Sequence, residues 1–475
     1  MQRRTKIVAT LGPATDGDGR LHQLINAGLD VARLNFSHGD ADEHRQRAGQ
    51  LRAAAEQCGR EVGLMGDLQG PKIRVKRFKD HHVELKNGEQ FFLDSTLGYE
   101  EGTVAGVGVA LDTLHEDVVA GDELLLNDGM IALHVDRIEG TRIHTTVLTG
   151  GILSDHKGIN KKGGGLSAAA LTEIDKQNIK LAAELDMDFL AVSFVRSAHD
   201  VLEARRLFVE AGGRGSIVAK IERAEAVEHF DAILEAADVI MVARGDLGVE
   251  IGYTELIGVQ KKLIRRTRKG GKIVITATQM MESMIHNPIP TRAEVSDVSN
   301  AVMDGTDAVM LSGETAVGQY PVAAIRAMAE VCTGAEKFPL AEGRTRHRMD
   351  DQFEHVDEAI ATAVMYTANH MAVRAIIALT ESGATTRWMS RIRSDIPIYA
   401  FTPYPSTGRR VALYRGVYPV HFEIQDADRS RLYADVFNKL LSNKFVKAGD
   451  LVIFTKGDLA GVSGGTNSMK ILKVT

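Results

Sequence analysis

Two stretches of the chain stop in charged residues after an apolar run: Ile217-Val-Ala-Lys-Ile-Glu222 and Val239-Ile-Met-Val-Ala-Arg-Gly-Asp246. Apolar runs that are rich in β-branched residues predict buried parallel strands. A buried strand that ends in Lys-x-Glu or Arg-Gly-Asp indicates a site, because charged groups have no other reason to follow it. Two carboxylates beside a lysine suit a divalent cation and an anionic substrate. We therefore expect these two strand ends to share one site.

Apolar runs of the same kind recur along the chain, with helix-forming stretches between them. The runs are Lys6–Gly12, Asp30–Ser37, Val62–Leu68, Phe189–Val195, Ser216–Glu222, Val239–Asp246, Lys272–Thr278 and Ala308–Glu314. Their spacing is mostly that of a βα unit, which predicts an α/β fold, the (β/α)8 TIM barrel. The interval between Leu68 and Phe189 is too long for a loop in a compact domain and predicts an inserted domain.

The insert and the C-terminal region have patterns of their own. Residues 83–93 and 121–148 alternate, with turn sequences at 86–88, 127–129 and 139–141, and this predicts the hairpins of a small β-barrel domain. After a charged, apolar-poor linker at Gly343–Gln352, helical and extended runs alternate again and predict a C-terminal α/β three-layer domain. We expect the barrel at 1–70 and 169–343, the insert at 71–168, and the C-terminal domain at 344–475.

Composition excludes several classes of function. A chain of 475 residues is too long for one core and predicts two to three domains. The net charge of −6 argues against general affinity for nucleic acid. Cys58 and Cys332 are far apart, which favours reduced thiols over a disulfide. No apolar run is long enough to span a bilayer, and no secretory segment precedes the first strand. We expect a cytoplasmic protein that binds neither nucleic acid nor membrane.

Polar residues follow almost every predicted barrel strand. Chemistry in barrel enzymes takes place at the C-terminal ends of the strands, so these residues are the candidates for a site. They are Arg33, Asn35, Ser37, His38, Asp67, Lys220, Glu222, Arg244, Gly245, Asp246, Thr276, Thr278, Ser312 and Glu314. A barrel with only a structural role would not need so many polar strand ends.

Several of these segments, taken together, resemble the pyruvate kinase family. They are Val31–Gly39, Gly66–Val75, Lys220–Glu222, Arg244–Glu250, Ala277–Met284, Pro290–Asp297 and Met310–Ala316. The segments occur in order, and the resemblance covers nearly the whole chain, including the insert and the C-terminal domain. It implies phosphoryl transfer from phosphoenolpyruvate to ADP, which gives pyruvate and ATP in the last step of glycolysis, with enolpyruvate then protonated. It also implies a homotetramer.

The resemblance implies a metal site and a substrate site at the strand ends. Glu222 and Asp246 would bind Mg²⁺ or Mn²⁺, in agreement with the preference of Mg²⁺ for one or two carboxylates; the alternative is a structural ion pair with Lys220 or Arg244. Lys220 would stabilise the phosphoryl group in flight, since phosphoryl transfer depends on positioning and on neutralising charge. The substrate-binding set would be Arg33, Lys220, Gly245, Asp246 and Thr278, of which Lys220, Arg33 and Thr278 are catalytic. For Thr278 the alternative is a buried capping residue.

The resemblance also implies a nucleotide side of the site. Its residues would be Arg33, Asn35, His38, Arg74 and Lys157. Arginine suits forked contacts with phosphate oxygens. Lys157 lies in the insert, which could close as a lid and carry this side chain onto the phosphates. The alternative for His38 and Lys157 is that they are solvated surface groups.

The potassium site departs from the pattern of potassium-requiring members. Asn35, Ser37 and Asp67 match their monovalent-cation ligands, but Leu68, Gln69, Lys72 and Val75 resemble the potassium-independent branch. A lysine ammonium is in effect a tethered monovalent cation with three donors. We therefore expect Lys72 to replace potassium, so that K⁺ is not required; the alternative is that Lys72 points into water.

A loop of the C-terminal domain resembles the effector loop of regulated members of the family. Its candidate residues are Thr380, Ser382, Gly383, Thr385 and Thr386. Hydroxyl and N–H groups at a helix start can bind phosphate, and the alternative is an ordinary turn with capping hydroxyls. Some relatives have Lys or Arg where this chain has Ala384. Arg387 and Arg391 could supply the missing positive charge. Gly461–Asn467 resembles the second loop of that site. A sugar phosphate or AMP is the expected activator.

Two other classes of function remain open from the residues. One is a metal-dependent aldolase or lyase that acts on a pyruvate enolate, which would need neither a closing insert nor the pair Arg33 and Arg74. The other is a non-catalytic protein that binds sugar phosphates on an inactive barrel. Intact Lys220, Glu222 and Asp246 argue against the second. ADP-dependent turnover would distinguish a kinase from the first.

Overall fold

A computed structural model describes residues 2–338, 352–423, 431–457 and 464–475. The predicted linker at Gly343–Gln352 lies outside these ranges except for its last residue, and so does the predicted domain boundary at 343. The first three residues of Gly461–Asn467 also lie outside them. No helix within the described ranges is both long enough and apolar enough to cross a membrane.

The first part of the barrel alternates strands and helices. Its elements are β1 (Lys6–Thr10), α1 (Arg20–Ala27), β2 (Val31–Asn35), α2 (Ala41–Gln57) and β3 (Gly63–Asp67). A short 3₁₀ turn, Pro13–Thr15, follows β1. Asp40 caps α2, since its side chain accepts from the N–H groups of the second and third helical residues. β1 and β3 are buried on both faces, which explains their apolar sequence.

The insert is a β domain around one apolar core. Its strands are β4 (His82–Leu85), β5 (Gln90–Asp94), β6 (Gly106–Gly108), β7 (Glu123–Leu126), β8 (Ile131–Glu139), β9 (Arg142–Thr149), β10 (Gly151–Ser154) and β11 (Ile159–Lys161). A short 3₁₀ turn lies at Leu114–Glu116. The strands form a six-stranded sheet in the order β11-β7-β8-β9-β5-β6 and a separate pair, β10-β4.

Two of the three predicted hairpin turns of the insert are confirmed. The turns at 127–129 and 139–141 join antiparallel neighbours, β7 with β8 and β8 with β9. The hairpin predicted around 86–88 is wrong, because β4 pairs with β10 whereas β5 pairs with β9 and β6. The turn therefore joins strands of two different sheets, a long-range choice that the local pattern does not contain.

The chain then returns to the barrel and completes it. The elements are α3 (Glu173–Glu184), β12 (Phe189–Val192), α4 (Ala198–Glu210), β13 (Ser216–Ile221), α5 (Ala224–Glu228), α6 (Phe230–Ala236), β14 (Val239–Ala243), α7 (Arg244–Ile251), α8 (Tyr253–Lys269), β15 (Ile273–Ala277), α9 (Arg292–Asp304), β16 (Ala308–Leu311), α10 (Gly313–Ala316) and α11 (Pro321–Ala335). A 3₁₀ turn lies at Glu282–Ile285. The eight parallel strands close in chain order, from β1, β2 and β3 through β12 to β16 and back to β1. The predicted TIM barrel is confirmed at all eight runs.

The C-terminal domain is a five-stranded sheet between helices. Its elements are α12 (Val356–His370), β17 (Ala375–Leu379), α13 (Ala384–Arg391), β18 (Ile398–Thr402), α14 (Pro405–Val411), β19 (Val417–His421), α15 (Leu432–Ser442), β20 (Leu451–Gly457) and β21 (Thr466–Lys473). The strand order is β19-β18-β17-β20-β21, with only β21 antiparallel. Two apolar clusters, one on each face of the sheet, confirm the three-layer architecture.

Buried ion pairs join the C-terminal domain to the N-terminal ends of the barrel strands. Arg391 forms a bidentate pair with Asp307, in which both side chains are 1% exposed. Arg409 donates through Nε to Asp188 Oδ1 at 2.8 Å. The expectation that Arg391 could assist an effector loop is therefore wrong, because its guanidinium binds Asp307 and joins the C-terminal domain to the barrel.

Candidate active site

Lys220 is the central cation at the mouth of the barrel. It is the fifth residue of β13, and its side chain is buried. Its Nζ lies 2.5 Å from Ser193 Oγ, 3.1 Å from Asp67 Oδ1 and 3.0 Å from Glu222 Oε1. Burial alone would lower the pKa of Lys220, but the two carboxylates outweigh it and raise the pKa. Lys220 is therefore a fixed, fully charged ammonium group.

Arg33 adds a second cation beside it. Arg33 Nε donates to Asp67 Oδ2 at 2.6 Å, and Nη1 donates to Thr10 Oγ1 at 2.9 Å. No described residue accepts a hydrogen bond from its Nη2. Burial would raise the pKa of Asp67, but Lys220 and Arg33 lower it, so this carboxylate stays ionised between the two cations. Two cations that are held on opposite sides of Asp67 suit a phosphoryl group.

Glu222 and Asp246 supply neighbouring carboxylates after the paired strands β13 and β14. Glu222 is buried and accepts from the Phe194 N–H through Oε2 at 2.7 Å, whereas Asp246 is half-buried in the first turn of α7. Burial raises the pKa of Glu222; Lys220 opposes this effect and the negative charge of Asp246 adds to it.

These two carboxylates fit a divalent cation of the Mg²⁺ type. No cluster of three or more protein ligands occurs within the described ranges. Mg²⁺ needs only one or two carboxylates and takes water and substrate oxygens for the rest of its shell. An added positive charge would also relieve the repulsion that Asp246 exerts on Glu222. The donor set therefore fits a cation that is shared with the substrate.

Thr278 and Gly245 lie together across β14 and β15. The Gly245 N–H donates to Thr278 Oγ1 at 2.7 Å, and that hydroxyl donates to the Ala277 carbonyl at 2.7 Å. Thr278 has a left-handed φ of 67°, which is uncommon for a β-branched residue. Arg244 pairs with Asp297 at 2.7 Å, so its role is to hold this turn rather than to neutralise Asp246.

Lys72 is brought to the mouth of the barrel from the start of the insert. Its Nζ lies 3.6 Å from Asp246 Oδ1 and 3.9 Å from Asp128 Oδ1, and 28% of the side chain is exposed. Asp128 belongs to the turn between β7 and β8, and its carbonyl accepts from the Tyr253 hydroxyl at 3.3 Å. The insert therefore lies against the barrel next to Asp246. Lys72 contacts one of those carboxylates, and none of its described contacts is to Asn35, Ser37 or Asp67.

The predicted nucleotide residues fall into two groups. Arg33 and Asn35 lie in β2 and His38 follows it; His38 is exposed, and Asn35 Oδ1 accepts at 3.2 Å from the N–H of Ser37, a predicted cation ligand. Arg74 and Lys157 lie on adjacent segments of the insert. Arg74 Nη1 donates to the His156 carbonyl at 2.8 Å, and the Val75 N–H donates to the Lys157 carbonyl. The structure thus brings the segments of Arg74 and Lys157 together in the insert, and it carries Arg33 and Asn35 on β2.

Of the predicted effector residues, Thr380, Ser382 and Gly383 lie in the turn between β17 and α13, and Thr385 and Thr386 lie in the first turn of α13. Thr380 Oγ1 accepts from the Gly383 N–H at 2.9 Å, and Ser382 Oγ accepts from the Ala384 N–H at 3.4 Å. Thr386 Oγ1 donates to the Gly383 carbonyl. These bonds are those of a capped turn. Thr385 Oγ1 donates to Thr466 Oγ1 at 2.7 Å, so the first turn of α13 contacts the first residue of β21, which belongs to the segment Gly461–Asn467.

Sequence reasoning missed Ser193, which contacts Lys220, and Thr10, which contacts Arg33. Ser193 interrupts the predicted run Phe189–Val195 after the last residue of β12. A polar residue at the end of the fourth strand was the available signal. Thr10 is the last residue of β1 and gave the same signal.

The fold and the geometry together define a class: a (β/α)8-barrel phosphotransferase site with paired carboxylates, two fixed cations and a covering insert. The comparisons with known proteins make this specific. The family model for the pyruvate kinase barrel domain matches residues 2–325, and that for the pyruvate kinase alpha/beta domain matches residues 358–472.

Individual relatives agree over the whole length. Pyruvate kinase II of Salmonella typhimurium is 54% identical over 476 residues, covering 99% of each chain. The pyruvate kinase of Haemophilus influenzae is 54% identical over 460 residues, covering 96% of each chain. That of Geobacillus stearothermophilus is 43% identical over 474 residues, which cover 99% of this chain and 80% of the relative.

The chain belongs to the pyruvate kinase family. It is a transferase that moves the phosphoryl group of phosphoenolpyruvate to ADP and gives pyruvate and ATP, a step of glycolysis that depends on a divalent cation such as Mg²⁺. Neither the aldolase alternative nor the inactive sugar-phosphate-binding protein finds support in these comparisons.

Proposed function

We propose that the phosphoryl group is transferred in the space between Lys220, Arg33 and the two carboxylates Glu222 and Asp246. Transfer of this kind needs little covalent participation from the protein, and its rate depends on positioning and on neutralising spreading charge. The ammonium of Lys220 is held by three acceptors, and Arg33 is held by Asp67 and Thr10. Two cations that are already oriented cost no reorganisation when the charge develops.

In this proposal Glu222 and Asp246 hold the divalent cation, which supplies further positive charge to the phosphoryl oxygens. Gly245 and Thr278 contact the remainder of the substrate, where the left-handed turn brings the Gly245 N–H and the Thr278 hydroxyl together. Asn35, His38, Arg74 and Lys157 bind the nucleotide phosphates, with Arg74 and Lys157 carried by the insert.

We further propose that Lys72 replaces the monovalent cation, so that K⁺ is not required. The observation that carries this proposal is the 3.6 Å separation between Lys72 Nζ and Asp246 Oδ1. Lys72 contributes a permanent positive charge at the metal-type carboxylates from the segment that leads into the insert. The ligands Asn35, Ser37 and Asp67 remain, but Asp67 is already neutralised by Arg33 and Lys220.

The test is steady-state formation of pyruvate from phosphoenolpyruvate and ADP with Mg²⁺ in tetramethylammonium buffer, with and without K⁺. Equal turnover in both buffers is the expected result. Turnover only with K⁺ would support the catalytic assignment and contradict the role of Lys72. Absence of turnover in both buffers, with folded protein and with candidate activators added, would contradict the catalytic assignment.

Four further features are part of the proposal. They are activation by a sugar phosphate or AMP at residues 380–386, a homotetrameric assembly, a cytoplasmic location, and the domain division at 70/71, 168/169 and 343/344. The contact between Thr385 and Thr466 supports the first, because it joins the two loops of the effector site. Light scattering of the purified enzyme tests the second, with a mass of four chains as the expected result.

A further inference from the structure

Ser193 is buried at the mouth of the barrel and, among the described residues, is the one acceptor of Lys220 that is not a carboxylate. It follows β12 directly, and its residue surface is 1% exposed. Lys220 Nζ donates to Ser193 Oγ at 2.5 Å, and Ser193 Oγ donates to the Leu68 carbonyl at 2.7 Å. Ser193 thus stands between the central cation and the backbone of the neighbouring strand end.

The proton of the Ser193 hydroxyl has one acceptor that fits best. A hydroxyl has one proton and two lone pairs, an ammonium can only donate, and a carbonyl can only accept. Asp67 Oδ1 is 3.4 Å from Ser193 Oγ, much farther than the Leu68 carbonyl. The Ser193 hydroxyl therefore donates its proton to the Leu68 carbonyl, and one of its lone pairs accepts from Lys220 Nζ. Both neighbours fix the orientation of the hydroxyl.

The Lys220 ammonium has three protons and three acceptors. Two of those acceptors, Asp67 and Glu222, are carboxylates, and Ser193 is the neutral one. A neutral acceptor sets the third direction of the ammonium without adding negative charge that would repel an anionic substrate. Its loss would leave Lys220 held only from the carboxylate side.

Ser193 also packs against the segment that leads into the insert. Leu68 precedes Gly70, which has a φ of 66°, and a Cβ added at Gly70 would lie 2.9 Å from Ser193 Cβ. The insert begins one residue later. We propose that Ser193 is a positioning residue for Lys220, which fixes the direction of the ammonium relative to the segment that carries the insert. This inference rests on the proposed catalytic role of Lys220.

The second cation of the site has the same arrangement. Arg33 Nη1 donates to Thr10 Oγ1 at 2.9 Å, and Thr10 Oγ1 donates to the Leu311 carbonyl at 3.0 Å. In both cases a hydroxyl at a strand end accepts from a cation and donates to a carbonyl of a neighbouring strand end. The barrel thus holds Lys220 and Arg33 with the same hydrogen-bonding arrangement.

The test compares Ser193→Ala with Ser193→Thr, which keeps the hydroxyl. The matched control is Ser216→Ala, at the other end of the strand that carries Lys220, where the side chain makes no hydrogen bond among the described residues. We expect Ser193→Ala to lower kcat by about tenfold to a hundredfold, because a small misplacement of a reacting group has effects of this size. The KM for phosphoenolpyruvate should stay within about threefold, as for an interaction made in the transition state. Ser193→Thr should recover most of kcat, and Ser216→Ala should match the parent.

Two results would overturn the inference. One is a kcat of Ser193→Ala within about twofold of the parent while Lys220→Met is inactive. The other is an equal loss in Ser193→Ala and Ser193→Thr that follows a drop in Tm, which would indicate a packing role. Lys220→Met separates this inference from the proposed function, because full activity of that variant would contradict the catalytic role of Lys220 itself.

Discussion

At the C-terminal ends of the barrel strands Lys220 faces Asp67 and Glu222, and at the N-terminal ends Arg391 of the C-terminal domain faces Asp307. Both clusters are buried, but they differ in whether their charged groups are fully paired. We call the Arg391 and Asp307 pair the closed cluster, and Lys220 with Asp67 and Glu222 the open cluster. The Arg391 pair is bidentate and closed, and the Asp307 carboxylate also accepts from the Val274 N–H. The Lys220 cluster opens beside half-buried Asp246 and beside Arg33, whose Nη2 has no described acceptor. Buried charge alone therefore does not mark a site in this barrel; the strand end at which it lies separates chemistry from domain docking.

The largest expected effect is at the carboxylates of the open cluster. Asp246→Asn keeps the shape of the side chain and removes its charge, so the affinity for the divalent cation and kcat should both fall, kcat by about 1,000-fold. Steady-state rates over a Mg²⁺ titration measure both quantities. Asp297→Asn, which loosens Arg244 without touching the carboxylate pair, is the control. An Asp246→Asn enzyme with parental kcat would remove Asp246 from the metal site.

At the closed cluster the expected effect is on stability. Arg391→Met leaves Asp307 buried without its cation, and the free energy of unfolding should fall by about 3–5 kcal/mol. Chemical denaturation measures the loss, and kcat at 25 °C should remain close to that of the parent. Arg387→Met, on the same helix but without a carboxylate partner among the described residues, should lose much less. A loss of kcat in folded Arg391→Met would show that the two ends are not separate in function.

The Lys72 contact predicts an intermediate effect. Lys72→Met removes the tethered charge beside Asp246, so turnover in tetramethylammonium buffer should fall roughly tenfold, the size expected for one partly screened charge. Added K⁺ should restore part of the rate. Lys76→Met is the matched control, because among the described residues the Lys76 ammonium hydrogen-bonds only to the carbonyls of Ser95 and Leu97, within the insert. A Lys72→Met enzyme that turns over at the parental rate and does not respond to K⁺ would contradict the tethered-cation role.

The smallest expected effect is a pH dependence at Glu250, where the insert meets α7. Burial raises the pKa of Glu250 to about 7, with the charge of Glu225 adding to the shift and the Ala224 N–H and Arg223 opposing it. Between about pH 4.5 and pH 7 the unfolded chain loses a proton that the folded chain keeps, so the free energy of unfolding falls as the pH rises through this window.

Glu250→Gln keeps an acceptor for the Ala224 N–H and cannot ionise. Its Tm relative to the parent should therefore rise from pH 4.5 to pH 8, as thermal melts over this range can measure. Exposed Glu255→Gln should show no such trend. A difference between Glu250→Gln and the parent that does not change with pH would show that folding does not raise the pKa of Glu250.

The fold was predictable because its constraints are strong. A strand that is covered on both faces must be apolar throughout, so eight runs were visible, and the polar residues that end them indicated Lys220, Glu222 and Asp246. Pairing between distant strands leaves no local trace, so the hairpin at 86–88 was wrong. The role of Arg391 was hidden for the same reason, since its helix pattern does not reveal which domain it packs against. Ser193 was missed because a single serine inside an apolar run is ambiguous until its partners are known.

We infer that the open cluster performs the chemistry and that the closed cluster holds the domains together. The most direct test measures kcat and Tm of Lys220→Met and Arg391→Met side by side in one buffer with saturating Mg²⁺, phosphoenolpyruvate and ADP. We predict that Lys220→Met is folded and about 1,000-fold slower, and that Arg391→Met melts at a clearly lower temperature and turns over at nearly the parental rate. Parental turnover in Lys220→Met, or the reverse assignment of the two losses, would contradict it.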